Sequence, residues 1–347
     1  MSEVSIRKVG RVGRITLNRP KALNAVTLEM IKAIGHALPG FAEDDDIAML
    51  VIDAEGDKAF CAGGDIADIY KALVAGDPEV PRDFWRAEYP VNAALFNFPK
   101  PVAAFLQGFT MGGGVGVGCH ASHRIVSESS RIAMPECGIG LVPDVGGSLL
   151  LARAPGRLGE FMGTTSYRMG PGDAILAGFA DYFIPEEDWS TLIERLEETG
   201  DWEEIDRASK PAPHSDLEAQ IFEINRNFGG ETLADILRSL DHSESEWAEK
   251  TRKILNRNAP LAMAATVELV HRARLRDRID ETLKTEFRFA YRIAEMGDFQ
   301  EGIRAAIIDK DRSPKWRHAR PEDPTPADVS AMLRPLGQKE LKLEEQP

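Results

Sequence analysis

Lys100–His120 reads KPVAAFLQGFTMGGGVGVGCH. The apolar run from Val102 to Leu106 has the length of a buried strand and ends in a turn at Gly108. Behind it, glycines crowd positions 112–118 where a helix would start. Glycine admits positive φ and lets a backbone approach another group closely. A strand, a glycine-rich turn and a helix start also leave main-chain N–H groups without intrahelical acceptors. The stretch AFCAGGDI, Ala59–Ile66, repeats this arrangement after a strand ending near Asp53. Two such loops side by side can set two N–H donors on one oxygen, the physical content of an oxyanion hole. Close helix–strand packing is the competing use of the same glycines. A dinucleotide-binding loop is a poor fit. Gly112, Gly114 and their neighbours imitate its spacing, but a chain-leading βαβ unit is missing and no acid ends a clear second strand about twenty residues on.

The rest of the first half alternates strand-like and helix-like segments. VSIRKVGRVGRITLNRP reads as a hairpin with Gly10 and Gly13 near its turn. TLEMIKAIGHALPGFAEDD has helical apolar spacing, with Thr27 as N-cap and Gly40 near the end. IAMLVIDAEG, HRIVSES and RIAMPE read as further strands. Strands alternating with helices predict an α/β layer structure. After residue 186 the chain turns acidic, with a proline-rich break at 211–213, and from Leu217 to about Arg304 the pattern is helical. We therefore divide the sequence into 1–186, a mainly helical 187–316 and a polar tail at 317–347, whose last ten residues are expected to fray.

The 347 residues are 43% hydrophobic and 28% charged, ordinary for a globular protein, with a formal net charge of −14. That charge argues against general binding to nucleic acid or to an anionic membrane. It leaves room for a phosphate-bearing ligand on a local basic patch. No apolar run reaches membrane-spanning length. The opening residues alternate like a strand and lack the apolar core of a secretory signal, so a cytoplasmic protein is expected. Cys61, Cys119 and Cys137 form no CxxC pair and read as small buried thiols. The seven histidines show no metal-ligand spacing, and no metal site is expected. His120 reads as a packed or exposed histidine, and the basic run His271–Arg278 as a solvated helix face. Arg19, Lys21, Lys58 and that run are the candidates for holding phosphates.

Met134–Gly147, MPECGIGLVPDVGG, places Glu136 and Asp144 in a stretch otherwise made of apolar residues, glycine and proline around Cys137. Acidic side chains are seldom buried unless paired or used. As a turn carboxylate Glu136 would bond nearby N–H groups. Asp144 is well placed to cap a helix beginning in VGGSLLLARA. As chemical groups, two carboxylates at this spacing offer a nucleophile or general base and a second acid or orienting group.

In this order, AFCAGGDI, GFTMGGGVG and MPECGIGLVPDVGG resemble the crotonase (enoyl-CoA hydratase/isomerase) superfamily, as does the start RITLNRPKALNAVT. FWRAEYPVN, AMPECGIGLVPDVGGS and the late DFQEGIRAAIIDKDRSPKW (Asp298–Trp316) resemble its 3-hydroxyisobutyryl-CoA hydrolase branch, over roughly residues 4 to 317. The resemblance implies a spiral of repeated ββα units followed by a helical C-terminal region, an acyl-CoA thioester substrate, and a homo-oligomer, a trimer or a pair of trimers. It implies an oxyanion hole from the N–H groups of Gly64 and Gly113, with Gly112 beside it, and main-chain groups of Ala62 and Ile66 near the adenine. It gives Glu136 and Asp144 catalytic roles and Glu88 a contact with substrate. No cofactor is implied beyond the coenzyme A that the substrate carries.

One departure sorts the branches. Hydratases carry a second glutamate two positions after GGG, and Gly116 stands there. The expected activity is therefore hydrolysis of a short-chain 3-hydroxyacyl-CoA, 3-hydroxyisobutyryl-CoA in valine breakdown. The alternatives are an enoyl-CoA hydratase or isomerase, and a non-catalytic acyl-CoA-binding protein.

Overall fold

The computed structural model describes residues 2–343. Among the described residues nine strands are formed: β1 (Val4–Val9), β2 (Val12–Leu17), β3 (Met49–Ala54), β4 (Ala59–Cys61), β5 (Val102–Phe105), β6 (Phe109–Met111), β7 (His123–Val126), β8 (Arg131–Ala133) and β9 (Tyr182–Phe183). They make a six-stranded sheet in the order β1-β2-β3-β5-β7-β9 and a three-stranded sheet in the order β4-β6-β8. The β1–β2 pair is the antiparallel hairpin read at the N-terminus, with Val9 opposite Val12. The other pairings are parallel. Strand pairs β3/β4, β5/β6 and β7/β8 thus contribute one member to each sheet in turn. This is the α/β spiral that the resemblance implies.

By contacts the chain forms two units, each assembled from three segments. One comprises Met1–Gly64, Ala87–Ala133 and Arg168–Asp216 and holds both sheets. Its β3 is buried on both faces, with Leu50, Val51 and Ile52 fully covered, as expected of a parallel strand. One face carries Val12, Met49, Val51, Ala103, Phe105 and Ile125 into a single cluster with Trp189, Leu192, Ile193 and Leu196. The acidic segment after residue 186 thus folds as an amphipathic helix, Trp189–Thr199, that closes this face. Helix Leu28–Glu43 starts as expected, Thr27 Oγ1 accepting from Met30 N–H at 3.3 Å, and runs past Gly40.

The other unit comprises Asp65–Arg86, Met134–Tyr167 and Leu217–Pro347. Helix Pro260–Arg276 is its centre and packs on helices Gly147–Arg153 and Leu158–Thr165. Most of its residues between Pro260 and Ala273 are buried, so the apolar spacing of that region serves the core. The polar tail is not uniformly loose. Helix Pro326–Leu333 buries Met332 and Leu333, Leu341 is buried, and Glu340 pairs with Arg288 at 2.8 Å. Of the ten residues expected to fray, 344–347 lie outside the described residues.

Candidate active site

The two glycine loops meet in the sheet-bearing unit. Gly64 forms a one-residue parallel pairing with Val26, in which Val26 N–H donates to the Gly63 carbonyl at 2.9 Å. In a parallel pairing of this kind the N–H of the central residue points away from the pairing. Gly112 adopts φ +50°, turning the chain out of β6 into helix Gly113–Gly118. As first residue of that helix, Gly113 has an N–H with no intrahelical acceptor. A Cβ on Gly113 would lie 3.3 Å from the Gly64 nitrogen and 2.8 Å from Glu88 Oε1. A Cβ on Gly114 would fall 2.3 Å from the Cys61 carbonyl oxygen. Glycine at 113 and 114 lets the start of this helix lie close against the Cys61–Gly64 backbone. Ala62 N–H is taken up by the Leu23 carbonyl at 3.0 Å. Ile66 opens helix Ile66–Val74.

Glu88 lies on helix Glu79–Phe96 and is 2% exposed. One turn on, Asn92 is fully buried, and neither polar atom of its amide meets a hydrogen-bond partner among the described residues. Another turn on, Phe96 meets His120 edge-to-face at 5.7 Å, so His120 is a packed histidine. Helix Glu79–Phe96 thus lines up Glu88, Asn92 and Phe96 beside the residues at the two ends of the glycine helix.

The carboxylate stretch belongs to the second unit. Glu136 and Asp144 are both buried, at 5% and 4% exposure. Glu136 begins a single 3-10 turn, Glu136–Ile139, closed by Gly140 in the left-handed region. That turn is gripped backbone to backbone. Ala259 N–H donates to the Cys137 carbonyl at 2.8 Å. A Cβ on Gly302 would lie 2.2 Å from the Ile139 carbonyl oxygen, and one on Gly140 would lie 2.5 Å from that of Asp298. Helix Asp298–Ile303, the start of the late motif, is therefore the buttress of the Glu136 turn.

The helix after Asp144 does not use it as its cap. Gly146 occupies the N-cap of helix Gly147–Arg153. The first-turn donors go instead to Glu286, on helix Ile279–Ile293. Its carboxylate accepts from Gly146 N–H at 2.8 Å, from Ser148 N–H at 3.0 Å and from Ser148 Oγ at 2.5 Å. Burial pushes the Glu286 carboxyl up to about 8. The Ser148 and Gly146 hydrogen bonds oppose that rise, and the Asp144 charge adds to it. Sequence reasoning missed Glu286 and Asn92. Their signal was available: each is a polar residue on an otherwise apolar helical stripe.

The structure also places the cysteines and the basic run. All three cysteines are buried thiols, and burial pushes each up to about 12. The basic run is only partly a solvated face. His271 and Arg274 turn in to the fully buried Glu160, at 3.0 Å and 2.8 Å, and Arg157 joins them at 2.9 Å. Among the described residues no group of three or more His, Cys, Asp or Glu side chains is placed to hold a metal.

Residues 12–333 match the model of the family described as enoyl-CoA hydratase/isomerase. The chain belongs to this family. Curated relatives of this crotonase-family chain include the mitochondrial 3-hydroxyisobutyryl-CoA hydrolases of Rattus norvegicus and Homo sapiens. They are 37% and 36% identical, over 98% of this chain and 91% and 90% of theirs. Among solved structures, an enoyl-CoA hydratase from Rhodobacter sphaeroides 2.4.1 matches with a TM-score of 0.93 and 53% identity. The alignment covers 99% of this chain and 100% of that one. A carnitinyl-CoA dehydratase from Mycobacterium thermoresistibile matches with a TM-score of 0.94 and 35% identity over 100% of both chains.

Proposed function

We propose that this protein hydrolyses a short-chain 3-hydroxyacyl-CoA thioester, 3-hydroxyisobutyryl-CoA, to the free hydroxy acid and CoA, as a step of valine breakdown. The observation that carries the reading is the close approach of the Gly64 and Gly113 backbones beside Glu88, in a chain that also buries Glu136 and Asp144. The names of the curated relatives support it.

The chemistry follows from these groups. The thioester carbonyl oxygen accepts from both glycine N–H groups and gains negative charge as the carbonyl carbon becomes tetrahedral. Backbone donors fixed in advance favour that charge over the neutral ground state. Glu136 either attacks the carbonyl carbon, giving an anhydride that water then cleaves, or takes a proton from a water that attacks directly. Either way the C–S bond breaks and the electron pair leaves on sulfur. A thiol with a pKa of roughly 8.5 departs as thiolate with little help. Asp144 and Glu88 are then free to hold the 3-hydroxyl and to orient or relay a proton. Only water is consumed, so the reaction calls for no cofactor beyond the CoA of the substrate.

The hydratase names of the solved relatives, one at 53% identity, favour a second reading, addition of water to an enoyl-CoA double bond. Gly116 weighs against it, because a glycine at that position cannot supply the second acid. The test is thiol release from 3-hydroxyisobutyryl-CoA alongside loss of double-bond absorbance from crotonyl-CoA. Thiol release that collapses in Asp144→Asn is expected. Loss of the crotonyl double bond without thiol release would return the protein to the hydratases.

A further inference from the structure

Asp144 is followed by a residue in a conformation that its side chain disfavours. Val145 sits at φ +53° and is 1% exposed. A β-branched residue in the left-handed region is an outlier, and such strain persists only where the surroundings over-determine it. Gly146 follows at φ +81°, and Gly147 N–H closes the turn onto the Asp144 carbonyl at 2.6 Å. The group that over-determines this turn is Glu286. It is fully buried, comes from 140 residues away and accepts three hydrogen bonds from the two residues flanking Gly147. Relaxing Val145 towards an ordinary φ would rotate the peptide joining it to Asp144. It would also swing the Gly146 N–H off Glu286.

We propose that Glu286 is a positioning residue that holds the Asp144 carboxylate in its working place by clamping the strained turn at Val145. This rests on the reading of Asp144 as a catalytic carboxylate. The clamp uses both carboxyl oxygens: Gly146 N–H meets one, and Ser148 N–H and Oγ meet the other. A glutamine in the same place offers one oxygen, and its NH2 group confronts a second donor. A turn loosened by about 1 Å next to the chemistry lowers turnover by as much as about 100-fold.

The experiment compares thiol release from 3-hydroxyisobutyryl-CoA by the full chain, Glu286→Gln, Glu286→Gln with Val145→Gly, and Asp144→Asn, with folding of each followed by circular dichroism. We expect Glu286→Gln to lower kcat by about 10- to 100-fold with KM within about 3-fold of the parent. The added Val145→Gly should restore a large part of that loss, because glycine adopts the positive φ without a clamp. A purely structural acid would give the opposite, since trimming a buried valine removes packing and only weakens the fold further. Wild-type kcat in Glu286→Gln, or a loss that Val145→Gly fails to recover, overturns the inference. If Glu286→Gln does not fold, Ser148→Ala removes one donor from the clamp. It should lower kcat at constant KM, and wild-type kcat there overturns the inference too. Undiminished hydrolysis by Asp144→Asn would instead overturn the reading beneath it, so the two failures are told apart.

Discussion

Adding one methyl group at Gly113 tests the proposed oxyanion hole without removing a backbone donor. Gly113 does not need positive φ, so alanine is tolerated by the main chain and gains about 1 kcal/mol of helix propensity. The new Cβ would stand 2.8 Å from Glu88 Oε1, 3.2 Å from Val26 Cγ2 and 3.3 Å from the Gly64 nitrogen. The first contact is with the end of a flexible side chain, and the second asks for a shift of a few tenths of an ångström. Overpacking of this kind destabilises by about 1–3 kcal/mol, partly offset by the propensity gain. The third contact is the decisive one, because the methyl takes the space in which a substrate oxygen would meet the Gly64 N–H. Losing one such donor raises the barrier by about 2.7–4 kcal/mol, or roughly 100- to 1,000-fold in kcat. The assay is thiol release per folded molecule. Gly118→Ala is the control, because the nearest neighbours of its Cβ are the Leu106 and Phe60 side chains, at 2.5 Å and 2.8 Å. It should lower the melting temperature and leave turnover per folded molecule unchanged. A Gly113→Ala enzyme within about 5-fold of the parent kcat would refute the hole.

Three further outcomes are expected. Glu136→Gln should reduce thiol release by about 100-fold or more while CoA still binds, as followed by product inhibition. Glu160→Gln leaves Arg157, Arg274 and His271 around a neutral amide. The two arginines are about a third exposed and can rehydrate, so urea denaturation should show a loss of about 2–3 kcal/mol, below that of a wholly buried pair. Burial alone would raise the Glu160 carboxyl, but the hydrogen bonds from His271, Arg274 and Arg157 outweigh it and hold it well below the usual range. Its contribution is therefore present above about pH 4.5 and fades as pH falls through the acid range, a slope that Glu160→Gln should remove. Glu286 has the opposite sign. The unfolded chain gives up this proton near 4.5 and the folded protein keeps it to about 8. Stability should decline as pH rises between those values, and Glu286→Gln should flatten that decline in denaturation curves at pH 5, 7 and 9.

Much of this architecture was legible in local patterns. The hairpin at Gly10, the Thr27 cap, the buried run at β3 and the two glycine loops each carry their signal within a few residues. The Glu136/Asp144 pair stood out because acids are rare in so apolar a stretch. What escaped was what distant segments do for one another. Asp144 reads as a helix cap, since aspartate is favoured there, but Glu286 supplies the capping oxygens and leaves Asp144 two residues ahead of the N-cap. The basic run at 271–278 reads as a solvated face, yet Arg274 is spent on a buried glutamate. In both cases local propensity gave way to a tertiary partner more than 100 residues away. The use of the late motif was equally hidden, because a glycine pressed against a carbonyl oxygen looks in sequence like any other glycine.

That last contact bears on how the protein comes into being on the ribosome. The turn carrying Glu136 is synthesised about 160 residues before Gly302, whose backbone locks against Ile139. At about 5–20 residues per second, this leaves an interval of roughly 8–30 seconds in which the Glu136 turn exists without the helix Asp298–Ile303 that buttresses it. Glu286 arrives within the same window. A nascent chain stalled before residue 286 would thus hold both glycine loops and both acids and still lack the two braces that fix the acids in place. Competence of the loop is a late event in translation, set by segments that take no part in the chemistry.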